Sequence, residues 1–453
     1  MKRQTVARLT AFLDAWLSFH CEHEGLPGLS VAIYSNQDIL YKKTVSAVRR
    51  PMPTELYNIG SQSKMLTALI LLRLAQEGTL DLRNTAITYV PWLAAHPDPR
   101  AQQITIEHLL WHGAGLVRDG LQADYWQLLQ PFPDRQTLRR LACDSPLVFD
   151  PGFKLKYSNL GYALLGQIAE AASGVSYDGL AYRYIITPLA LSHTYPHLPP
   201  NEPIAPGYHP RYRGRYVPLR DHTPTNTLAP AAGWYSTPEE TARIVSALTQ
   251  TDSPLLQRPW HEMLLHGVRH HWHGPARRGS EYGLGMMSVE AEGQKLLGHS
   301  GSFITHRSAT FTDLASGTTV AVMAANKDAP ATDILLGIFD AIGFFAAHDA
   351  PAPDWQKYTG LYQNALVSRF VIALPNGLAC VYVDDWSPFG IVDHLEPRGE
   401  HTFRIASTPD FMAQGEDVKF ALGPDGEVSS LRYAGITMWP SHQFAAQNRW
   451  FAP

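Results

Sequence analysis

The hydrophobic pattern changes period sharply between residues 54 and 78. Leu56, Tyr57 and Ile59 suit an extended segment, Gly60 breaks it, and Met65, Leu66, Leu69, Leu72 and Ala75 recur at helical spacing until Gly78 offers a stop. The spacing predicts a short strand, a glycine turn and a buried helix opened by Ser61. Upstream, Leu9, Phe12, Leu13, Trp16, Leu17 and Phe19 share one face of an amphipathic helix. Residues 29–34 and 39–45 flank Ser35-Asn36-Gln37-Asp38 as a hairpin. Thr105 is placed to cap a short turn of helix at 107–110, and a mainly helical stretch runs on to about 200. Its clearest helix, 162–173, meets its stop at Gly174. The proline-rich segment 199–230 reads as a long irregular loop. Thr237 then caps a helix with Pro238 in first position. Strand patterns follow at 282–287, 295–298, 308–312 and 318–324, and a last helix at 332–345.

Residues 346–354 have the composition of a linker. Beyond it, 367–374 and 378–383 enclose Pro375-Asn376-Gly377, while 418–422 and 428–433 enclose Gly423-Pro424-Asp425-Gly426. Both are hairpin signals. At 453 residues the chain exceeds what one hydrophobic core usually supports. The expected fold is therefore α/β of the α+β kind. An antiparallel sheet flanked by helices occupies 1–348, with an all-helical insert at about 62–225, and an antiparallel β-barrel occupies 349–453.

Composition narrows the function classes. With 45% apolar and 17% charged residues the chain is that of a globular protein, and a net charge of −4 gives no electrostatic case for nucleic acid. No stretch approaches the roughly 18 apolar residues of a membrane span. Lys2 and Arg3 precede an apolar run, yet Asp14 interrupts it, so the segment is read as a packing helix and not a leader. Cys21, Cys143 and Cys380 are too scattered for a disulfide framework or metal knuckle. They read as reduced thiols, and a cytoplasmic location is expected.

Candidate chemistry begins with Ser61 and Lys64, one helical turn apart, so that an amine can reach a hydroxyl at a helix terminus rich in N–H donors. Ser-x-x-Lys alone arises by chance roughly once or twice in a chain of this length. It needs a second proton carrier, an amide and a strand to close an oxyanion hole. Tyr157-Ser158-Asn159 sits where a turn runs into a helix, and Gly298-His299-Ser300-Gly301-Ser302 ends a strand. Tyr34-Ser35-Asn36, Tyr362-Gln363-Asn364 and His23-Glu24-Gly25 offer similar triplets, but in the wrong order along the chain. The run containing His261, His266, His270, His271 and His273 lacks His-Glu-x-x-His spacing and reads as a solvated loop, so no metal and no cofactor is expected.

Taken in order, Ser61-Gln62-Ser63-Lys64, Tyr157-Ser158-Asn159 and His299-Ser300-Gly301 resemble the Ser-x-x-Lys, Tyr-x-Asn and Lys/His-x-Gly elements of the class C β-lactamase-like serine hydrolases. That family includes DD-peptidases, D-aminopeptidases and esterases. Supporting matches are Glu77-Gly78-x-Leu80-Asp81-Leu82, Ile104-Thr105-Ile106-x-His108-Leu109-Leu110 and Pro230-Ala231-x-Gly233-x-x-Ser236-Thr237. The C-terminal segment resembles, more weakly, the lipocalin-like barrels appended to D-aminopeptidases.

The resemblance implies that Ser61 is acylated and that Lys64 and Tyr157 act as a coupled base, with no choice made between them. The phenol serves only if cations such as Lys64 pull its pKa down. Asn159 would hold a substrate amide, and the N–H groups of Ser61 and Ser302 would form the oxyanion hole. His299, Ser300, Gly301 and Ser302 would line the substrate strand. His299 stands where penicillin-recognising members keep lysine, so it should hold a carboxylate less firmly. Trp111 and Trp234 depart from the family pattern and either narrow the cleft or pack. The implied activity is hydrolysis, through an acyl-enzyme, of an amide, peptide or ester of a small molecule or short peptide, D-residues included. The rivals are acyl transfer to an amine, as in penicillin-binding-protein-type thioesterases that cyclise peptides, and a catalytically silent ligand-binding protein. The expected partner is the substrate alone; oligomeric state is left open.

Overall fold

The computed structural model describes residues 3–52, 54–219, 222–267, 270–271, 280–291, 293–348, 350–409 and 412–447. The chain opens with α1 (Arg3–Glu24), followed by the expected hairpin of β1 (Leu29–Ser35) and β2 (Asp38–Val45). Asn36 and Gln37 turn it with φ of 51 and 66. A two-residue strand, β3 (Tyr57–Asn58), leads through one 3-10 turn, Gly60–Gln62, into α2 (Ser63–Gln76). Every residue of α2 except Arg73 and Gln76 is buried, as a helix apolar all round requires.

A helical block follows: α3 (Ile106–Leu110), α4 (Arg135–Asp144), α5 (Asn159–Ser173), α6 (Tyr177–Ala181) and, past the long loop, α7 (Ala229–Ala232). Thr105 caps α3, and Gly174 closes α5 in the left-handed conformation. β4 (Tyr235–Ser236) pairs with β3, and Thr237 caps α8 (Pro238–Thr249). Next come α9 (Arg258–His266), β5 (His270–His271), β6 (Glu281–Tyr282), β7 (Met287–Ala291), β8 (Gln294–Phe303), β9 (His306–Asp313), β10 (Thr318–Ala324) and α10 (Ala331–Ala347).

Eight strands form one antiparallel sheet in the order β2-β1-β10-β9-β8-β7-β6-β5. Helix α8 lies against β1, β10 and β9, and its Ile244, Val245 and Leu248 are buried. Three expectations need correction here. The strand at 282–287 is interrupted, because Gly285 at φ +77 passes so close to α2 that a Cβ would sit 2.6 Å from that of Ala68. The strand expected to end near 298 runs on to Phe303, carrying the His299–Ser302 segment inside the sheet. The histidine run is not simply a solvated loop: its first part is α9, where His261 is buried with Nε2 2.8 Å from Leu248 O. His273 lies outside the described residues.

Contacts divide the chain into two compact units, Leu26–Thr332 and Met1–Gly25 with Asp333–Pro453. Where the sequence places a boundary at 348/349, the contacts thus group α1 and most of α10 with the C-terminal barrel. The cause is aromatic packing: Phe12 of α1 meets Phe345, Phe370 and Phe389 at 6.0, 5.3 and 5.1 Å between ring centres. Strands β11 (Gly360–Gln363), β12 (Ser368–Leu374), β13 (Gly377–Tyr382), β14 (Val392–Gly399), β15 (Thr402–Ser407), β16 (Asp417–Leu422), β17 (Val428–Tyr433) and β18 (Ile436–Pro440) close an antiparallel barrel, and α11 (Ser441–Gln447) follows. Val371, Leu378, Phe403, Ile405 and Leu431 belong to its core. A buried pair, Arg369 with Asp393 at 2.8 Å, lies among them. Among the described residues no helix is long and apolar enough to cross a membrane.

Candidate active site

The turn that carries Ser61 is held from several sides. Ile59 N–H donates to Trp234 O at 2.9 Å and Gly60 N–H to Asn58 Oδ1 at 2.8 Å. Ser308 Oγ donates to Ile59 O at 2.9 Å, and Ser63 Oγ to Gly60 O at 2.7 Å. Two glycines permit the approach of β8. A Cβ on Gly60, at φ +55, would lie 2.5 Å from Ser302 N, and one on Gly301 would lie 2.0 Å from Ile59 O. The backbone of Ser302 is thereby brought against the residue preceding Ser61.

Helix α5 supplies the next groups. Ser158 is its N-cap, with Oγ accepting from Gly161 N–H at 3.0 Å, which leaves Tyr157 just outside the helix and Asn159 as its first residue. Tyr157 donates its hydroxyl to Ser61 Oγ at 2.7 Å. Lys64 Nζ lies 3.2 Å from Ser61 Oγ and donates to Asn159 Oδ1 at 2.8 Å and to Ala231 O at 2.7 Å. Asn159 Nδ2 in turn donates to Asp119 Oδ1 at 2.7 Å, and Arg118 Nε pairs with the same carboxylate. Both ends of the Asn159 amide are thus engaged within the protein.

Burial sets the electrostatics of this cluster. Lys64 has no exposed surface, and desolvation holds its amine well below the usual lysine value, with the Asp119 carboxylate pulling weakly the other way. Desolvation raises the Tyr157 phenol, outweighing its bond to Ser61. The shift runs opposite to the condition set for a phenol acting as base, a pKa pulled down by nearby cations.

Behind Tyr157 lies an aromatic wall. The His112 ring is 4.2 Å from that of Tyr157 and 4.7 Å from that of Tyr282, while its Nδ1 accepts from Ser158 N–H at 3.1 Å. His299 joins this wall. It is 2% exposed, its Nε2 is 3.2 Å from the Tyr282 hydroxyl, and burial pushes its pKa down to about 3. Ser300 Oγ meets Met287 Sδ at 3.9 Å. Neither His299 nor Ser300 lines the cleft, whereas Ser302 does. Both tryptophans pack: Trp111 stacks on His270 at 3.8 Å, and Trp234 is fully buried with Nε1 donating to the Tyr177 hydroxyl at 2.9 Å.

The cleft above Ser61 encloses about 310 Å³ and is lined by Tyr157, Asn159, Arg118, Trp126, Ser302, Ile304 and Lys327. Among the described residues no group of three or more His, Cys, Asp or Glu is placed to hold a metal ion. The beta-lactamase family model matches residues 4–341. The chain belongs to the beta-lactamase family. Protein flp of Staphylococcus aureus (strain MW2) is 28% identical over 187 residues, covering 40% of this chain and 37% of flp, so the match spans little more than a third of that relative. The octameric penicillin-binding protein homologue from Pyrococcus abyssi shares the fold with a TM-score of 0.64 at 22% identity, over 96% of this chain and 99% of that one. The D-amino acid amidase from Ochrobactrum anthropi SV3, complexed with L-phenylalanine amide, gives 0.60 at 20% identity, over 74% and 98%.

Within this beta-lactamase-family fold, several residues at the cleft escape a motif reading. Arg118 and Asp119 follow the Gly113–Gly115 turn, and Lys327 follows β10. The buried carboxylate of Asp119 had one local signal, a charged residue just after an apolar, glycine-bounded stretch. Nothing in the spacing of Trp126, Ile304 or Lys327 announces that they meet Ser61.

Proposed function

We propose that this protein is a serine hydrolase that forms an acyl-enzyme at Ser61 on an amide, peptide or ester of a small molecule or short peptide. The observation that carries the reading is the pair of contacts on Ser61 Oγ, 2.7 Å to the Tyr157 hydroxyl and 3.2 Å to the Lys64 amine. Two carbonyl oxygens, of Asn159 and Ala231, take two Lys64 N–H bonds. In the neutral amine favoured by burial, the remaining position is a lone pair aimed at Ser61, which suits Lys64 to accept the serine proton.

The serine oxygen then adds to the substrate carbonyl, and the oxyanion is met by the N–H groups of Ser61 and Ser302. The proton held by Lys64 reaches the leaving group through the Tyr157 hydroxyl, which touches the same oxygen. Expulsion of the amine or alcohol leaves the acyl-enzyme. Water, deprotonated by the same pair, releases the acid and restores Ser61. Asn159 acts in this reading as the acceptor that orients Lys64. His299 serves as part of the wall supporting Tyr157.

A fluorophosphonate probe tests the proposal. Labelling should map to Ser61 and vanish in Ser61→Ala, together with turnover of p-nitroanilide and p-nitrophenyl substrates offered in both L and D forms. Full turnover by Ser61→Ala would refute it.

A further inference from the structure

Ala231 O, which takes one of the Lys64 N–H bonds, belongs to α7, a helix of only four residues. That helix is cut short, because Trp234 N–H donates to Ser63 Oγ at 3.2 Å and Tyr235 N–H to Tyr195 O at 2.9 Å. In an unbroken helix those two donors would meet Pro230 O and Ala231 O. Both carbonyls are left instead to side chains of α2. Pro230 O accepts from Thr67 Oγ1 at 2.7 Å, and Ala231 O accepts from Lys64 Nζ at 2.7 Å. Thr67 and Lys64 stand three residues apart and so share a helix face.

The Thr67 hydroxyl is itself directed. Trp234 Nε1 donates to the Tyr177 hydroxyl at 2.9 Å, and the Tyr177 and Thr67 oxygens lie 2.6 Å apart. An indole N–H can only donate, so the Tyr177 oxygen accepts there and sends its own hydrogen to Thr67. Thr67 in turn gives its hydrogen to Pro230 O, the nearer of two carbonyls, Ser63 O lying at 3.1 Å. All three side chains are buried, and desolvation raises the Tyr177 phenol, so it keeps the proton it donates. Trp234, which departs from the family pattern, thus begins a one-way chain of hydrogen bonds that ends one peptide from the Lys64 acceptor.

We propose that Thr67 and Tyr177 are positioning residues for Lys64, holding the Pro230 carbonyl so that Ala231 O takes one Lys64 N–H and leaves the amine lone pair on Ser61. This rests on the acyl-enzyme reading of Ser61 and adds two residues that stand outside the Ser61 cleft. The peptide joining Pro230 to Ala231 is planar, so a fixed Pro230 carbonyl fixes the start of the Ala231 backbone. With that anchor lost, Ala231 O drifts, and the amine loses one of the two carbonyl acceptors that orient it.

The test uses the full chain with Thr67→Val, which keeps the shape and removes the hydroxyl, and Thr67→Ser, which keeps the hydroxyl. The fluorophosphonate labelling rate of Ser61 should fall by about a hundredfold in Thr67→Val, the scale of a slightly misplaced catalytic group, and recover most of that loss in Thr67→Ser. The acidic limb of the labelling profile should also move to lower pH in Thr67→Val, because an ammonium that loses a carbonyl acceptor is less favoured. A general loosening of the site would lower the rate at every pH alike. Tyr177→Phe guards against misfolding of the first variant. It keeps the ring beside Trp234 and should change rate and limb in the same direction by less, since Thr67 retains its hydrogen but not its direction. Rates unchanged in both Thr67→Val and Tyr177→Phe, a loss in Thr67→Ser as deep as in Thr67→Val, or a fall without movement of the limb would overturn the inference. Absence of labelling at Ser61 in the unaltered protein would instead defeat the underlying reading of the site.

Discussion

Lys64 Nζ donates to Asn159 Oδ1 at 2.8 Å, so the amine beneath Ser61 is held by an uncharged amide and not by a carboxylate. The Asp119 carboxylate lies beyond that same amide, accepting from its Nδ2. A direct ion pair would favour ammonium; the interposed amide orients the amine and leaves it free to be neutral.

Replacing the amide by an acid tests that arrangement. Asn159→Asp should raise the Lys64 pKa by placing negative charge against it, and should lower the labelling rate at neutral pH by about a hundredfold, the scale of lost general-base catalysis. The rate should recover as pH is raised, which a pH profile of fluorophosphonate labelling would read. An unchanged profile would show that Lys64 is not the base.

The same reasoning gives a pH dependence for the unaltered protein. The folded pKa of Lys64 lies below the ordinary 10.5. Between those two values the unfolded chain binds a proton that the folded chain does not, so stability rises with pH across that window. Lys64→Met should flatten the rise, as measured by urea unfolding from neutral pH up to about 10.5. His299, pushed down to about 3, stays neutral throughout, so His299→Gln should not move the acidic limb of the rate profile.

Tyr157→Phe keeps the ring that packs on His112 and removes only the hydroxyl bonded to Ser61. Turnover of amides should fall by roughly a hundredfold to ten-thousandfold. The fall should be smaller for p-nitrophenyl esters, whose leaving group needs no proton. Melting temperature should change little. Equal losses on both substrates would argue against the phenol as proton donor.

Gly301→Ala would drive a Cβ to within 2.0 Å of Ile59 O. Strand β8 must then retreat from the Ser61 turn, and overpacking of this kind costs about 1–3 kcal/mol. The expected result is loss of labelling together with a lowered urea midpoint, whereas Gly343→Ala, where nothing lies within 4 Å, should be neutral on both counts.

In the barrel, Arg369 and Asp393 are 7% and 2% exposed and joined at 2.8 Å, with the Tyr433 hydroxyl also on Asp393. Arg369→Met leaves a buried carboxylate without its counter-charge, so a destabilisation of about 3–5 kcal/mol is expected. Denaturant titration would measure it, and the double variant with Asp393→Leu should recover part of the loss.

Much of the architecture is written locally. The 3.6-residue period of α2, the Thr105 and Thr237 caps, the Gly174 stop and the turn sequences around Gly377 and Gly426 each act over a few residues, so the chain alone states them. The spacing of Ser61 and Lys64 is likewise a property of one helical turn. What surrounds them was decided only in three dimensions. The bend at Gly285 and the length of β8 depend on α2 and the Ser61 turn lying beneath, and no local propensity encodes a neighbour that remote. Sequence likewise offered His299 as a cleft residue, but in the folded protein it is buried against the Tyr282 hydroxyl in the wall. The charge that faces the cleft comes instead from Arg118 and Lys327, more than two hundred residues apart. The protonation of Lys64 and Tyr157 also belongs to the folded state alone, because a pKa responds to the water removed around a group, and only the packed tertiary structure removes it.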